Sequence, residues 1–332
     1  MKANNLPFIS FVIPTYNNDD SIKNCLVSIR EQRYPQNKIE ILIADGGSRD
    51  KTLQIAEQYD CHIIHNPKRL AEPGVDLGLT KAKGEICTIL AADNVLQGRD
   101  WIKKMIKPFK DPLVEAAFPI HLNTKDDTWL TKYINTFTDP FNHFVYGSAA
   151  NMRTFHKVFK TLEKTKDYVI YDYTLKNHPI LAFAQGFTVR KGFKRSKEGK
   201  FCDLLPVLQI IKEGRKIAYV PTAGLYHHTM KELKHFLKKQ RWAAANALLK
   251  KPYGWSGREK YLSRKRMIRK YFWPIYCLTL IGPLMSTIRG IIFGKEPAWF
   301  YHLPISLVAC LAVLAELIRI KLLGQTSALA RK

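Results

Sequence analysis

The chain is short of acid. Aspartate and glutamate together number 28 against 53 lysines and arginines, which leaves a formal net charge of +25 over 332 residues. An excess of that size implies an anionic partner, whether nucleic acid, an anionic lipid surface or a phosphorylated substrate. Paired Cys-x-x-Cys spacing is missing as well. The six cysteines stand at 25, 61, 87, 202, 277 and 310, mostly inside apolar runs, which argues against a cysteine zinc site and reads as buried, reduced thiols of a cytosolic domain. The first residues, Met1-Lys-Ala-Asn-Asn-Leu-Pro7, carry no apolar stretch of the kind a signal peptide needs, so the first domain is expected to stay in the cytoplasm. Internal repeats and low-complexity tracts are lacking. No recognisable RNA- or DNA-binding module accompanies the positive charge, so nucleic acid is not the expected partner.

What is present is an alternation of strand and helix patterns in a chain long enough for one large or two moderate domains. Phe8 to Ile13 reads as a strand, and Asp19 to Gln32 as a helix with Ile22, Cys25, Leu26 and Ile29 on one face. Ile39 to Ala44 is the next strand. Ser48 is an expected N-cap for a helix running to about Tyr59, and a short strand follows at His62 to His65. A helix from about Pro73 to Lys83 is expected to stop at Gly84 as a C-cap, before a strand from Glu85 to Ala91 that closes on Ala92-Asp93-Asn94. Repeated βα units predict an α/β fold with a mainly parallel sheet.

Two strand ends carry the chemistry: Phe11-Val-Ile-Pro-Thr-Tyr-Asn-Asn18, and Ile41-Leu-Ile-Ala-Asp-Gly-Gly-Ser-Arg-Asp-Lys-Thr52. Each apolar run ends in polar, turn-forming residues, and such sheet ends are where α/β proteins bind nucleotides. Asp45 precedes two glycines that let a ligand approach the backbone, and its carboxylate can accept hydrogen bonds from a base or ribose. Together these residues resemble the donor half of a family 2 glycosyltransferase. The resemblance implies a GT-A fold, Rossmann-like with a mainly parallel central sheet, and an inverting sugar transfer from a UDP- or GDP-type nucleotide-sugar. It implies donor contacts from Pro14, Thr15, Tyr16, Asn17, Asp45, Gly46 and Asp93. Asp93 follows Lys83-Gly-Glu85 as the last acid of the family's Asp-x-Asp pattern, whose first acid is Ala91 here, and is an expected ligand of Mg²⁺ or Mn²⁺.

The family pattern continues through Gly186-Phe-Thr-Val-Arg190, Phe201-Cys-Asp-Leu204 and Gly214 to His228. It puts Asp203 on the Asp of the family's Glu-Asp motif, with Cys202 in place of the Glu, and makes Asp203 the expected base that deprotonates the acceptor hydroxyl. His227, after Val220-Pro-Thr-Ala223, is the expected second metal ligand. His228, pointing the other way in an extended segment, is a spectator. Gly186 is an expected acceptor contact. Gln240-Arg-Trp242, on a basic helix from His235 to Lys250, is similar to a compressed Gln-x-x-Arg-Trp signature. From it, Arg241 is expected on the donor diphosphate and Trp242 at the acceptor. The aromatic stretch Tyr133 to Gly147 is open between an acceptor pocket, a membrane contact and ordinary core.

From Lys250 to Lys270 there are nine basic residues and one acid, Glu259. Two apolar segments follow, about Phe272 to Ile288 and Pro297 to Ile318, each near the roughly 20 residues that cross a bilayer. Basic flanks, including Arg319, Lys321, Arg331 and Lys332, would sit in the cytoplasm and leave Gly290 to Glu296 as the far loop. A re-entrant or interfacial helix pair is the alternative. The expected organisation is therefore a donor-binding half at 1–110, an acceptor-binding half at 111–250, a basic juxtamembrane segment at 251–271 and a membrane-associated helical hairpin at 272–332. The implied protein is a transferase on the cytoplasmic side of the cell membrane, with a lipid-linked or cell-surface glycan acceptor and an anionic membrane surface as partners. The competing reading is a degenerate relative that binds nucleotide-sugar or lipid without turnover.

Overall fold

The structure is a computed structural model and describes residues 6–194, 202–228, 232–251, 255, 258–294 and 297–323. Its first half runs β1 (Ile9–Thr15), α1 (Ile22–Arg30), β2 (Ile39–Asp45), α2 (Thr52–Glu57), β3 (His62–His65), α3 (Ala71–Lys81) and β4 (Ile86–Leu90). These strands pair in parallel, β3 with β2, β2 with β1 and β1 with β4. Every residue of β2 and β4 is buried, so their unbroken apolar runs mark a sheet covered on both faces.

β5 (Asn94–Leu96), α4 (Trp101–Met105) and β6 (Val114–Leu122) lead into the second half. There follow α5 (Trp129–Phe137), α6 (Pro140–Tyr146), β7 (Thr161–Lys164), β8 (Val169–Tyr171), β9 (Gln185–Arg190), α7 (Leu204–Lys212), β10 (Lys216–His227) and α8 (Leu233–Leu248). The strand order is β3-β2-β1-β4-β9-β6-β10-β8-β7, with β5 laid on β10. The mainly parallel expectation holds for the first four strands and for β6 with β10. β9 enters antiparallel between β4 and β6, and β5, β7 and β8 are antiparallel too, so the sheet is mixed. Because β9 bridges β4 and β6, the two halves share one sheet, and Ile9 and Ile41 lie in one core cluster with Ala117 and Val220.

Two local expectations change. Ser48 does not cap α2, which starts at Thr52; its hydroxyl donates to Asp45 Oδ1. Gly84 is not a helix cap, since α3 leaves through Ala82 in extended conformation. It is glycine because a Cβ there would lie 2.5 Å from the backbone N of Ser10.

The C-terminal part consists of α9 (Arg264–Leu278), α10 (Ile281–Arg289) and α11 (His302–Leu323). The first expected span does not form one helix: α9 and α10 meet at 95°, with Leu280 at a left-handed φ of 60°. Pro283 explains the break, because its ring would clash with the carbonyl of Thr279, four residues earlier, in a continuous helix. Among the described residues one helical stretch, Pro297–Leu322, is long and apolar enough to cross a membrane, in place of the two expected. Arg331, Lys332, Lys295 and Glu296 lie outside the described residues.

Arg266 fastens α9 to the second half. It is buried, donates to Lys176 O at 3.3 Å, Asn177 Oδ1 at 3.2 Å and His178 O at 3.4 Å, and lies 4.8 Å over the Tyr146 ring. His178 is fully buried, and its Nδ1–H donates to Leu175 O at 3.0 Å. Burial, and then the Arg266 charge, hold its pKa down at about 3. An unfolded histidine titrates near 6.5, so between these values the unfolded chain binds the extra proton. Stability is therefore fully present above pH 6.5 and falls as the pH drops, by about 1.4 kcal/mol per unit from this residue. Urea midpoints between pH 7 and 5 should fall more steeply in the native chain than in His178→Gln; equal slopes would show that His178 is not buried neutral.

Candidate active site

β1 and β2 end side by side, with Thr15 opposite Asp45, and the loops that follow are tied together. Gly46 N donates to Thr15 O at 2.9 Å. The Asp45 carboxylate accepts from Gly47 N at 2.8 Å and Ser48 N at 3.0 Å. Asn17, at a positive φ of 50° that asparagine tolerates, donates its N–H to Ser48 Oγ and accepts from Arg49 N, both at 2.9 Å. The Thr15 hydroxyl donates to Asn18 Oδ1 at 2.8 Å. These bonds make Asp45 and Asn17 the frame of a rigid strand-end loop. Tyr16 stands beside it with 41% of its surface exposed. A Cβ on Gly46 would meet Arg69 Cα at 3.3 Å and Tyr16 Cβ at 3.4 Å, so Tyr16 and Arg69 pack directly over Gly46. Pro14 packs behind it against α3, where a Cβ on Gly74 would come within 3.1 Å.

The antiparallel pairing of β5 with β10 sets His227 opposite Asn94, next to Asp93. His227 Nε2 lies 3.9 Å from Asp93 Oδ2. Its Nδ1–H donates to Asn135 Oδ1 at 3.0 Å, and Nε2 accepts from the Gln185 amide at 3.1 Å. Asn135 is itself oriented by donating to His227 O and Asn123 Oδ1, both at 2.9 Å. Burial, followed by the Lys239 and His228 charges, holds the His227 pKa at about 3, so the ring is neutral at pH 7. Burial pushes the Asp93 carboxyl up against the opposing pull of Lys239.

A neutral imidazole whose Nδ1–H is donated to a carbonyl oxygen is the arrangement of metal-ligating histidines. The 3.9 Å separation is less than twice a ligand bond of about 2.1 Å, so one divalent cation can touch both side chains. Gln185 must then turn aside. Among the described residues no group of three or more His, Cys, Asp or Glu gathers at one point. The protein's share is thus a pair, with phosphate oxygens and water for the remaining positions, as Mg²⁺ prefers.

His227 lines a cavity of about 250 Å³ with His121, Asp203, Lys239, Trp242 and Arg258. A second, of about 820 Å³, is lined by Asp93, Asn17, Asp20, Asp127 and His228, and so joins the strand-end loop to Asp93. His228 faces this other space, its Nδ1–H donating to Asp127 Oδ1 at 2.7 Å, as alternation along an extended chain requires. Asp203 heads α7, yet its side chain makes no capping bond. Beside it the Arg258 Nε–H reaches Cys202 Sγ at 3.1 Å, and Nη1 reaches Asn142 Oδ1 at 3.2 Å.

Two expected site residues stand elsewhere. Arg241 donates through Nε and Nη2 to Glu316 Oε2 at 3.0 and 2.7 Å. Two helical positions, about 200°, separate it from Lys239, so Lys239 faces the cavity while Arg241 faces α11. Gly186 is buried behind Gln185, the neighbour that lines the cavity. The residues that sequence reasoning missed are His121, Asn135, Gln185, Lys239 and Arg258. Arg258 is hidden among eight other basic residues of its run, and Lys239 is only two positions from the arginine that was chosen. Gly186 has φ of 75°, and a Cβ there would lie 2.7 Å from Pro119 Cγ. Gly186→Ala should therefore cost about 1–3 kcal/mol of stability, read as a lower urea midpoint. An unchanged midpoint with lost acceptor turnover would return the glycine to substrate contact.

Comparison with known proteins agrees with this geometry. Residues 10–177, half of the chain, match the family described as Glycosyl transferase family 2. The chain is 24% identical over 302 residues to the dolichyl N-acetyl-alpha-D-glucosaminyl phosphate 3-beta-D-2,3-diacetamido-2,3-dideoxy-beta-D-glucuronosyltransferase of Methanococcus voltae, spanning 86% of this chain and 82% of the relative. It is 33% identical over 94 residues to the glycosyltransferase AglE of Haloferax volcanii, a match that spans 26% of this chain and only 31% of AglE. The solved structure of the mannosyltransferase PcManGT from Pyrobaculum calidifontis, in complex with GDP-Man and Mn²⁺, shares the fold, with a TM-score of 0.54 at 17% identity over 95% of this chain and 88% of that one. The mixed sheet, the strand-end loop and the family match together show that the chain belongs to glycosyltransferase family 2 and is a glycosyltransferase of the GT-A fold.

Proposed function

We propose that this enzyme transfers a sugar from a UDP- or GDP-type nucleotide-sugar to a lipid-linked or cell-surface glycan acceptor, with inversion, on the cytoplasmic side of the cell membrane. One observation carries the reading: Asp203, His227, Lys239 and Trp242 converge on one cavity, at whose edge His227 meets Asp93. The lipid-linked substrate named for the Methanococcus relative and the GDP-Man and Mn²⁺ held by PcManGT support it.

Residues 1–110 hold the donor in this reading, with the base and ribose against the strand-end loop of Pro14, Thr15, Tyr16, Asn17, Asp45 and Gly46. Residues 111–250 hold the acceptor, and 251–271 and 272–332 attach the enzyme to the membrane. Asp93 and His227 hold a divalent cation, which when bound supplies positive charge to the departing diphosphate. Lys239, in place of Arg241, adds a second positive charge there. Trp242 offers an aromatic face to the acceptor. Asp203 takes the proton of the acceptor hydroxyl as its oxygen bonds to the anomeric carbon. The bond from that carbon to the phosphate oxygen breaks, and the nucleoside diphosphate leaves with the electron pair from the opposite face.

Calorimetry of the detergent-purified protein against UDP- and GDP-sugars, with and without Mn²⁺, tests the donor site. One donor should bind with Mn²⁺, and Asp93→Ala should abolish the metal dependence. Lys239→Ala should weaken binding about ten- to hundredfold, the value of one charge-assisted hydrogen bond, while Arg241→Ala should leave the donor affinity within about threefold. The reverse order for the two cations would restore Arg241 to the diphosphate. Asp203→Asn should retain donor binding and lower kcat by about 10²–10⁴; full turnover in that variant would exclude Asp203 as the base.

A further inference from the structure

We infer that α9, α10 and α11 seat the enzyme in the plane of an anionic lipid leaflet, with α11 lying along the membrane surface and not across it. The inference rests on the membrane attachment proposed above and gives that attachment its geometry.

By length alone α11 could span: its 22 residues measure about 33 Å at 1.5 Å each. Its packing forbids this. His302, Ile305, Ala309, Val313, Glu316 and Ile320 are all buried, a stripe at spacings of three and four that runs from the first turn to the last. The stripe is covered by the rest of the enzyme. Ile305 and Ala309 pack with Phe137 of α5 and Phe236 of α8, and Val313 packs with Ala244 of α8. Polar contacts fix both ends, His302 Nδ1 with the Tyr133 hydroxyl at 2.7 Å and Glu316 with Arg241 at 2.7 Å. A helix held along its whole length by the catalytic domain cannot also leave that domain to traverse hydrocarbon. Spanning would carry α8 and its ion pair into the bilayer as well.

The opposite stripe of α11, with Leu311, Ile318 and Leu322, is apolar and exposed. On the elbow formed by α9 and α10, Ile281, Met285 and Phe293 are exposed by 69%, 60% and 78%. So much apolar surface on helices that pack against one another requires a partner, and charge selects which. From Lys260 to Leu323 the sequence holds ten lysines and arginines against two acids, Glu296 and Glu316. Glu316 is buried between Arg241 and Arg319, whereas Arg264, Lys265, Arg289 and Lys321 are exposed. An apolar face with a basic rim matches an interfacial anchor on anionic headgroups. The cavity then lies behind α8 and α11, two helix layers of about 10 Å each, because Arg241 faces α11 while Lys239 and Trp242 face the cavity.

The test uses the full chain and sealed vesicles of phosphatidylcholine, with or without phosphatidylglycerol. The protein should float with anionic vesicles at least tenfold more than with neutral ones, less so at high salt, and Met285→Asp combined with Phe293→Asp should lower flotation at least tenfold while donor binding persists. Phe293→Cys should gain no label over the unmodified chain from an impermeant maleimide trapped in the vesicle lumen, and should gain it once detergent is added. No flotation by protein that still binds its donor overturns membrane attachment itself. Flotation with lumenal labelling of Phe293→Cys overturns only the in-plane geometry and restores the spanning hairpin. A lipid-independent dimer that protects Phe293→Cys from label assigns the face to a second copy and also overturns the inference.

Discussion

The site depends on how one strand is bent. β10 pairs with β6 in register from Ile217 opposite Ala116 to Val220 opposite Pro119, then resumes with Gly224 opposite Ile120, so Pro221, Thr222 and Ala223 bulge out of the ladder. Such an irregularity re-aims a strand, and here it frees the end of β10 to pair with β5 on its other side. Gly224 makes the crossing possible, since a Cβ there would overlap the Gln97 and Leu122 side chains. The outcome is that His227 arrives beside Asp93, a residue from the other half of the sheet 134 positions earlier in the sequence. Without the bulge, the two candidate ligands would belong to separate sheet edges.

The same economy is visible in α8. One face closes the cavity lined by His227 and Asp203 and the other docks on α11, and the division falls between adjacent residues: Gln240 and Trp242 line the cavity, while Arg241 between them reaches Glu316. Glu316 has no exposed surface and holds Arg319 as well as Arg241. A buried carboxylate left with neither arginine would be costly, so this ion cluster fixes α11 in rotation as well as in position.

The strand ends were legible in the sequence because local pattern determines them. An apolar run that stops at Pro-Thr-Tyr-Asn or Asp-Gly-Gly-Ser needs no distant partner to be recognised, and β1, β2, β3 and β4 appear within two residues of their expected limits. Features decided by long-range geometry were not legible. Ser48 has the composition of a cap, but Asp45 competes for its hydroxyl. Gly84 stands where a helix should stop, yet its requirement is the closeness of Ser10. Arg241 was named on a motif alone, and which helix face meets the cavity depends on what each face packs against. The expected span from Phe272 to Ile288 passed on composition, although Pro283 already carried the signal that breaks it.

Charge is where composition misled most usefully. The basic run after Lys250 reads as a uniform surface attractor, but the structure divides it. Arg258 turns inward to Cys202 and Asn142, Arg266 is consumed by backbone oxygens and Asn177, and Lys270 pairs with Glu259 at 2.9 Å. Only the remainder, such as Arg264 and Lys265, stays in solvent. The inward members matter because of what they face. The family pattern places a glutamate where Cys202 stands, and a carboxylate there would have neutralised the Arg258 guanidinium 3.1 Å from the Cys202 sulfur. With Cys202 there instead, the guanidinium lines the cavity beside Asp203. The departure from the family pattern therefore removes one negative charge from beside Arg258 in the cavity wall.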